Sequence, residues 1–155
     1  MPLYLRALAL ALTAIALVPL AAGHGVKSRS IEIVHPWVHE TPAAGGDVPV
    51  YMVLKGLGRS GDRLIGASTP MAESVELRMP GKAGTPSMIA VPSIGVGPKA
   101  RVELKPAGPH LLMQKTAKPL AAYDSFRMTL VFERAGRIEV EVLVEEAAVV
   151  APPKH

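Results

Sequence analysis

Apolar and polar residues alternate through most of the chain from Ile31 onward, the period-two rhythm of half-buried strands. Val50, Met52 and Leu54 alternate with Tyr51, Val53 and Lys55. Val75 and Leu77 alternate with Glu76 and Arg78, and Val102 and Leu104 with Glu103 and Lys105. The last two stretches are the clearest: Phe126, Met128, Leu130 and Phe132 make one apolar face, and Ile138, Val140, Val142 and Val144 make another. Between them, Glu133-Arg134-Ala135-Gly136-Arg137 predicts a hairpin turn with Gly136 at positive φ. Clusters of Gly and Pro at 43–47, 56–62, 80–86, 95–98 and 106–109 punctuate the rest. Beyond the first two dozen residues, no window of about a dozen carries a 3.6-residue apolar stripe. The pattern predicts an all-β domain of about nine short strands, a Greek-key sandwich or small barrel.

The first residues follow a different rule. Arg6 is the only charge before Lys27, the run from Ala7 to Ala22 is almost wholly apolar, and Ala21, Ala22 and Gly23 close it with small side chains. This is the pattern of a secretory signal peptide over 1–23, too short for a confident membrane span. Cleavage there leaves 132 residues, 155 less 23, with no stable membrane span. The expected organisation is a signal peptide (1–23), a short polar tether (24–29), one β domain (30–146) and a flexible C-terminal tail (147–155). The mature protein is expected outside the cytoplasm, in a periplasm or otherwise exported.

Composition narrows the chemistry. With no Cys, the chain has no disulfide, no thiolate nucleophile and no Cys-ligated zinc or iron–sulfur site. Lys and Arg total 17 against 13 Asp and Glu, the basic residues are scattered, and aromatic residues are only 4%, which is poor material for binding nucleic acid. No G-x-S-x-G, H-E-x-x-H or P-loop occurs, and the three Asp residues, Asp47, Asp62 and Asp124, sit in turn-like contexts. No enzymatic activity is expected. His, Met, carboxylates and shape are what remain.

The strand texts carry a family resemblance. Ile31-Glu32-Ile33-Val34-His35-Pro36-Trp37, Val50-Tyr51-Met52-Val53-Leu54, Asp62-Arg63-Leu64-Ile65-Gly66-Ala67-Ser68-Thr69-Pro70, Val75-Glu76-Leu77, Val102-Glu103-Leu104-Lys105-Pro106 and Pro109-His110-Leu111-Leu112-Met113 resemble the PCu(A)C family over about residues 30–145. That resemblance implies a cupredoxin-like β fold and an exported copper chaperone, many relatives serving the copper centre of cytochrome oxidase. It also implies a Cu(I) site of two His and two Met, spaced as a His, roughly ten residues, a Met, twenty-one residues, then His-x-Met. Thioether and imidazole suit Cu(I) and, unlike thiolates, do not form disulfides in an oxidising compartment.

Met88 and His110 have 21 residues between them and match the middle of that pattern. The outer positions depart from it, with Arg78 in place of the first His and Leu112 in place of the last Met. A guanidinium has donors only and cannot be a ligand. At about 4 Å from Cu(I), with an effective dielectric of about 20, it repels the metal by roughly 4 kcal/mol, near a thousandfold in affinity. The stem can instead carry that charge to water. Met113 and Met79 are each displaced by one residue from the departed positions, which on a regular strand is the opposite face. Met113 therefore joins His110 as a ligand only if the strand bulges there. Met52, Met71 and Met128 read as core or loop fillers and Trp37 as a buried anchor. Cleavage after Gly23 would expose His24 as an N-terminal Cu(II) chelate, with His35 and His39 nearby; both read otherwise as surface imidazoles.

Two functions follow. In one, the protein is a Cu(I) metallochaperone with a weakened site of Met88, His110 and Met113, handing copper to an oxidase subunit or another copper chaperone. In the other, it is a metal-free interaction or assembly module that has lost copper binding.

Overall fold

The computed structural model describes residues 25–83 and 87–147. The expected signal peptide, His24, His155 and most of the C-terminal tail lie outside the described residues. Eleven strands and no helix occur among those described. They are β1 (Val26–Lys27), β2 (Ile31–His39), β3 (Val48–Gly56), β4 (Asp62–Ser68), β5 (Ala72–Pro80), β6 (Met88–Ala90), β7 (Ile94–Val96), β8 (Arg101–Leu104), β9 (His110–Thr116), β10 (Ser125–Phe132) and β11 (Gly136–Glu145). Nothing described is a helix long and apolar enough to cross a membrane.

Nine strands form one continuous path, β6-β5-β9-β3-β2-β11-β10-β4-β7, with β1 added to β2 and β8 to β3. The expected count of about nine is therefore that of the main path. The two additions are short, and β1 lies in the segment expected to be a tether, where Val26 pairs with Ile33 and Lys27 with Glu32. All the described pairings are antiparallel except β11 with β2. β3 turns the sheet over on itself: Val48–Val50 pair with β9, while Met52–Lys55 pair with β8. At the far end Gly56 passes so close to β7 that a Cβ there would overlap the carbonyl oxygen of Gly97. Only glycine permits that approach.

Alternation places the core correctly. Ile31, Ile33, Leu54, Met128, Leu130 and Val142 are fully buried, and Met52 and Phe132 nearly so. The 133–137 hairpin forms as expected, with Gly136 at φ +72°. A bulge in β2 departs from the plain alternation. Val34 opposes Val53, but Trp37 opposes Tyr51, so β2 carries one extra residue at His35-Pro36, where His35 has φ +48°. An extra residue reverses which side chains face in, and Pro is tolerated in a strand at such a point. Before the bulge Ile31 and Ile33 face the core; after it Val38 does, and Trp37 and His39 are on the other face.

Asp62, expected as a simple turn residue, is a buried staple. It accepts from Ser30 Oγ (2.6 Å) and from the backbone N–H groups of Arg63 (2.7 Å), Arg134 (2.9 Å) and Ala135 (2.9 Å). Burial pushes its pKa up, but these four hydrogen bonds outweigh that and hold it below the usual 3.8. A lowered carboxylate contributes stability that is complete above its unfolded pKa and is lost as pH falls through its folded one. Asp62→Ala is expected to cost roughly 3 kcal/mol at neutral pH. In urea unfolding at a series of pH values, the gap to the unmodified protein should hold above about pH 5 and narrow below about pH 4. A gap that stays constant down to about pH 2 would contradict this account.

Candidate metal centre

The site is built on the outer face of the β6-β5-β9 corner. Arg78 on β5 sits directly between Ala90 on β6 and His110 on β9. Partners across a ladder point to the same side, and so do residues two apart on one strand. Glu76 (opposite Leu112) and Pro80 (opposite Met88) therefore share the face of Arg78 and His110. Met88 and His110, with 21 residues between them in sequence, are brought to one surface with β5 running between them.

His110 is only 9% exposed. Its Nδ1 lies 3.0 Å from the carbonyl oxygen of Gly108, in the loop joining β8 to β9. A carbonyl can only accept, so Nδ1 carries the proton, and in the neutral ring Nε2 keeps a free lone pair. This is how a backbone oxygen orients an imidazole for a metal. The other side of the ring meets Tyr51, at 6.1 Å between centroids, edge to face. Tyr51 is in turn 4.8 Å from Trp37, which is 4.8 Å from His39. Burial raises the pKa of Tyr51. Trp37 is thus a half-buried member of an aromatic row leading across β3 to His110, placed there by the β2 bulge.

Arg78 occupies the cross-strand slot facing His110, the position where the resemblance puts the first His. Its Nη2 is 2.6 Å from Glu76 Oε2. The pair is close but badly aligned: Glu76 Oε2 and Arg78 Nε are both buried without a hydrogen-bond partner. The guanidinium is turned along the strand to Glu76, and its side chain is 25% exposed. The alternation of Glu76 and Arg78 on one strand already places them on one face, so this pair is legible in the sequence. The Gly108 carbonyl and the Tyr51 contact are not, because they depend on a loop shape and on the register between distant strands.

Met113 is corrected. The β5–β9 ladder runs without a break from Arg78–His110 through Leu77–Leu111 and Glu76–Leu112 to Val75–Met113. With no bulge, Met113 faces away from His110, and it is fully buried in the core. Met79 lies on that inner face too, packed against the core. Met52 and Met128 are core residues, as expected. His35 is 2.7 Å from Glu145, and His39 Nδ1 lies 3.4 Å from the Glu146 carbonyl. Among the described residues, no three His, Asp or Glu side chains converge to hold a metal ion. Donors here are one imidazole and one thioether.

A β sandwich folded over at one strand is the architecture of a cupredoxin-like PCuAC domain. The chain belongs to the LpqE-like family of lipoproteins, whose model matches residues 31–144. Among solved structures it is similar to the copper-bound PCuAC domain from PmoF2, at 27% identity and TM-score 0.69, covering 80% of this chain and 99% of that one. It has the fold of the apo PCuAC domain from PmoF1 (20% identity, TM-score 0.71, 80% and 100% covered). The same holds for the CuI-DR1885 solution structure from Deinococcus radiodurans (22%, TM-score 0.62, 81% and 83% covered). No curated protein sequence matches the chain. The resemblance drawn from the strand texts holds.

Because Met113 is a core residue, Met113→Leu is expected to cost less than about 1.5 kcal/mol, and Met113→Ala roughly 2 to 5 kcal/mol. Neither should alter the imidazole nitrogen shifts of His110, which should report Nδ1 protonated and Nε2 bare in the neutral ring. Thermal melts and nitrogen NMR of the labelled ring check both, and an Nε2-protonated ring would remove His110 as an oriented ligand.

Proposed function

We propose that the protein is an exported copper-binding protein that carries Cu(I) as cargo on Met88 Sδ and His110 Nε2 and passes it to a copper-receiving protein, such as an oxidase subunit or another copper chaperone. The observation that supports this most is the pairing of an oriented, free Nε2 with a thioether on one face of a PCuAC-type corner. The similar domain from PmoF2 is a copper-bound one, which gives a domain of this fold its chemical precedent. Cu(I) is soft and accepts few ligands, and imidazole with thioether suits it. Two protein donors instead of four make a weak holder. Weak holding favours release, with the receiving protein completing the coordination.

One observation favours the second reading, a metal-free interaction or assembly module. The Arg78–Glu76 pair sits where a further ligand would be, and its cation opposes the metal. The two readings part in a Cu(I) competition titration against a chelator of known affinity. The unmodified protein is expected to compete at least about tenfold better than Met88→Ala/His110→Ala. Arg78→His/Leu112→Met, which restores two soft donors and removes the cation, is expected to gain several orders of magnitude over the unmodified protein. If the unmodified protein competes no better than Met88→Ala/His110→Ala, the copper reading fails and the metal-free module stands.

A further inference from the structure

The Arg78 guanidinium does more than displace a ligand. Its Nη2 is taken up by Glu76, yet its Nε–H is buried and donates to nothing. A buried donor left open is costly, and it is satisfied best by an anion. Around it, the donors left to a metal are Met88 and His110, both neutral, and Leu112 supplies no sulfur. Glu76 is a poor third donor, because its hard oxygen mismatches Cu(I) and its charge is already held by Arg78. A neutral third donor would leave the metal's charge uncancelled, because the Arg78–Glu76 pair is already neutral as a whole.

We propose that the bound cargo is completed by a soft anion from outside the chain, a thiolate or a halide, and that Arg78 is the residue that selects it. The anion lies between the two cations, bonded to the metal and accepting from Arg78 Nε–H, so the substitution that weakens binding of bare Cu(I) favours binding of Cu(I) together with its anion. This rests on the copper reading above. Arg78 acts here as a specificity residue, and Glu76 tempers it by holding part of its charge.

The test loads the mature protein with Cu(I) in halide-free buffer and adds bromide or N-acetylcysteinamide, the inorganic and the protein-type source of the same chemistry. Native mass spectrometry counts the protein–copper–anion complex, and X-ray absorption at the copper edge detects the bromine or added sulfur scatterer. The unmodified protein should form the ternary complex with one or both anions. Arg78→Gln should lower anion affinity about tenfold while keeping copper on Met88 and His110. Glu76→Gln, which frees the guanidinium, should raise it, and a gain cannot come from misfolding. Whichever anion binds tighter identifies the source. Copper held equally well with and without anion, or anion binding that Arg78→Gln and Glu76→Gln leave unchanged, overturns the proposal and leaves the copper reading standing. No copper uptake by the unmodified protein overturns both.

Discussion

Two residues opposite each other on a pleated ladder must share a face, and on the unbroken ladder between β5 and β9 that parity decides the site. It puts Arg78 beside His110, aligns Glu76 with Leu112, and sends Leu77, Leu111 and Met113 inward together. A one-residue slip of β9 would exchange its two sets, exposing Leu111 and Met113 and turning His110 inward. The cost of that exchange locks the register, since each large apolar side chain contributes roughly 1.5 to 3 kcal/mol by being buried. The core therefore chooses the donors: Met113 cannot serve the outer face while its sulfur fills the inner one. β6 extends the same logic by one strand, which is how Met88 reaches the surface of His110.

Charge then sets what this face can hold. The Glu76 carboxylate offsets Arg78 at 2.6 Å, so the corner is not simply cationic. It is dipolar, with an open acceptor on one side and an open donor on the other. An ion pair of this kind, partly buried and misaligned, is weak support for stability, because desolvation consumes most of the attraction. The folding contribution of a carboxylate is made elsewhere, at Asp62, where four well-formed hydrogen bonds tie the first strands to the last hairpin.

Period-two alternation makes the strands and most of the core legible, because burial on one face and solvent on the other write themselves directly into residue type. Gly136 marks its turn for the same local reason. What escapes is non-local. The bulge at His35-Pro36 shows only as a shift of pairing against β3, and it turns Trp37 and His39 to the site's side of the sheet. Asp62 looks like any turn aspartate until the hairpin 72 residues away folds back on it. The short strand β6 hides beside a Pro-rich stretch, and β7 contains Gly95, which reads as punctuation. Within the site, the spacing of Met88 and His110 and the departures at Arg78 and Leu112 are visible in the sequence, while the orientation of the His110 ring is not, since a loop carbonyl supplies it.

The absence of Cys brings these constraints together. A chain without thiols is free of disulfide exchange but gives up the strongest soft anionic ligand it could encode. Its remaining soft donors, thioether and imidazole, are neutral, so a bound monovalent cation keeps its full charge. In a site with an anionic ligand that charge is cancelled within the protein. Here the carboxylate on this face, Glu76, is already taken up by Arg78. Electroneutrality then has to come from outside the fold, and a group that arrives with its own negative charge is favoured over one that does not. Dependence on an external anion makes holding conditional, so the same residue that weakens the site alone would couple occupancy to what is present around it.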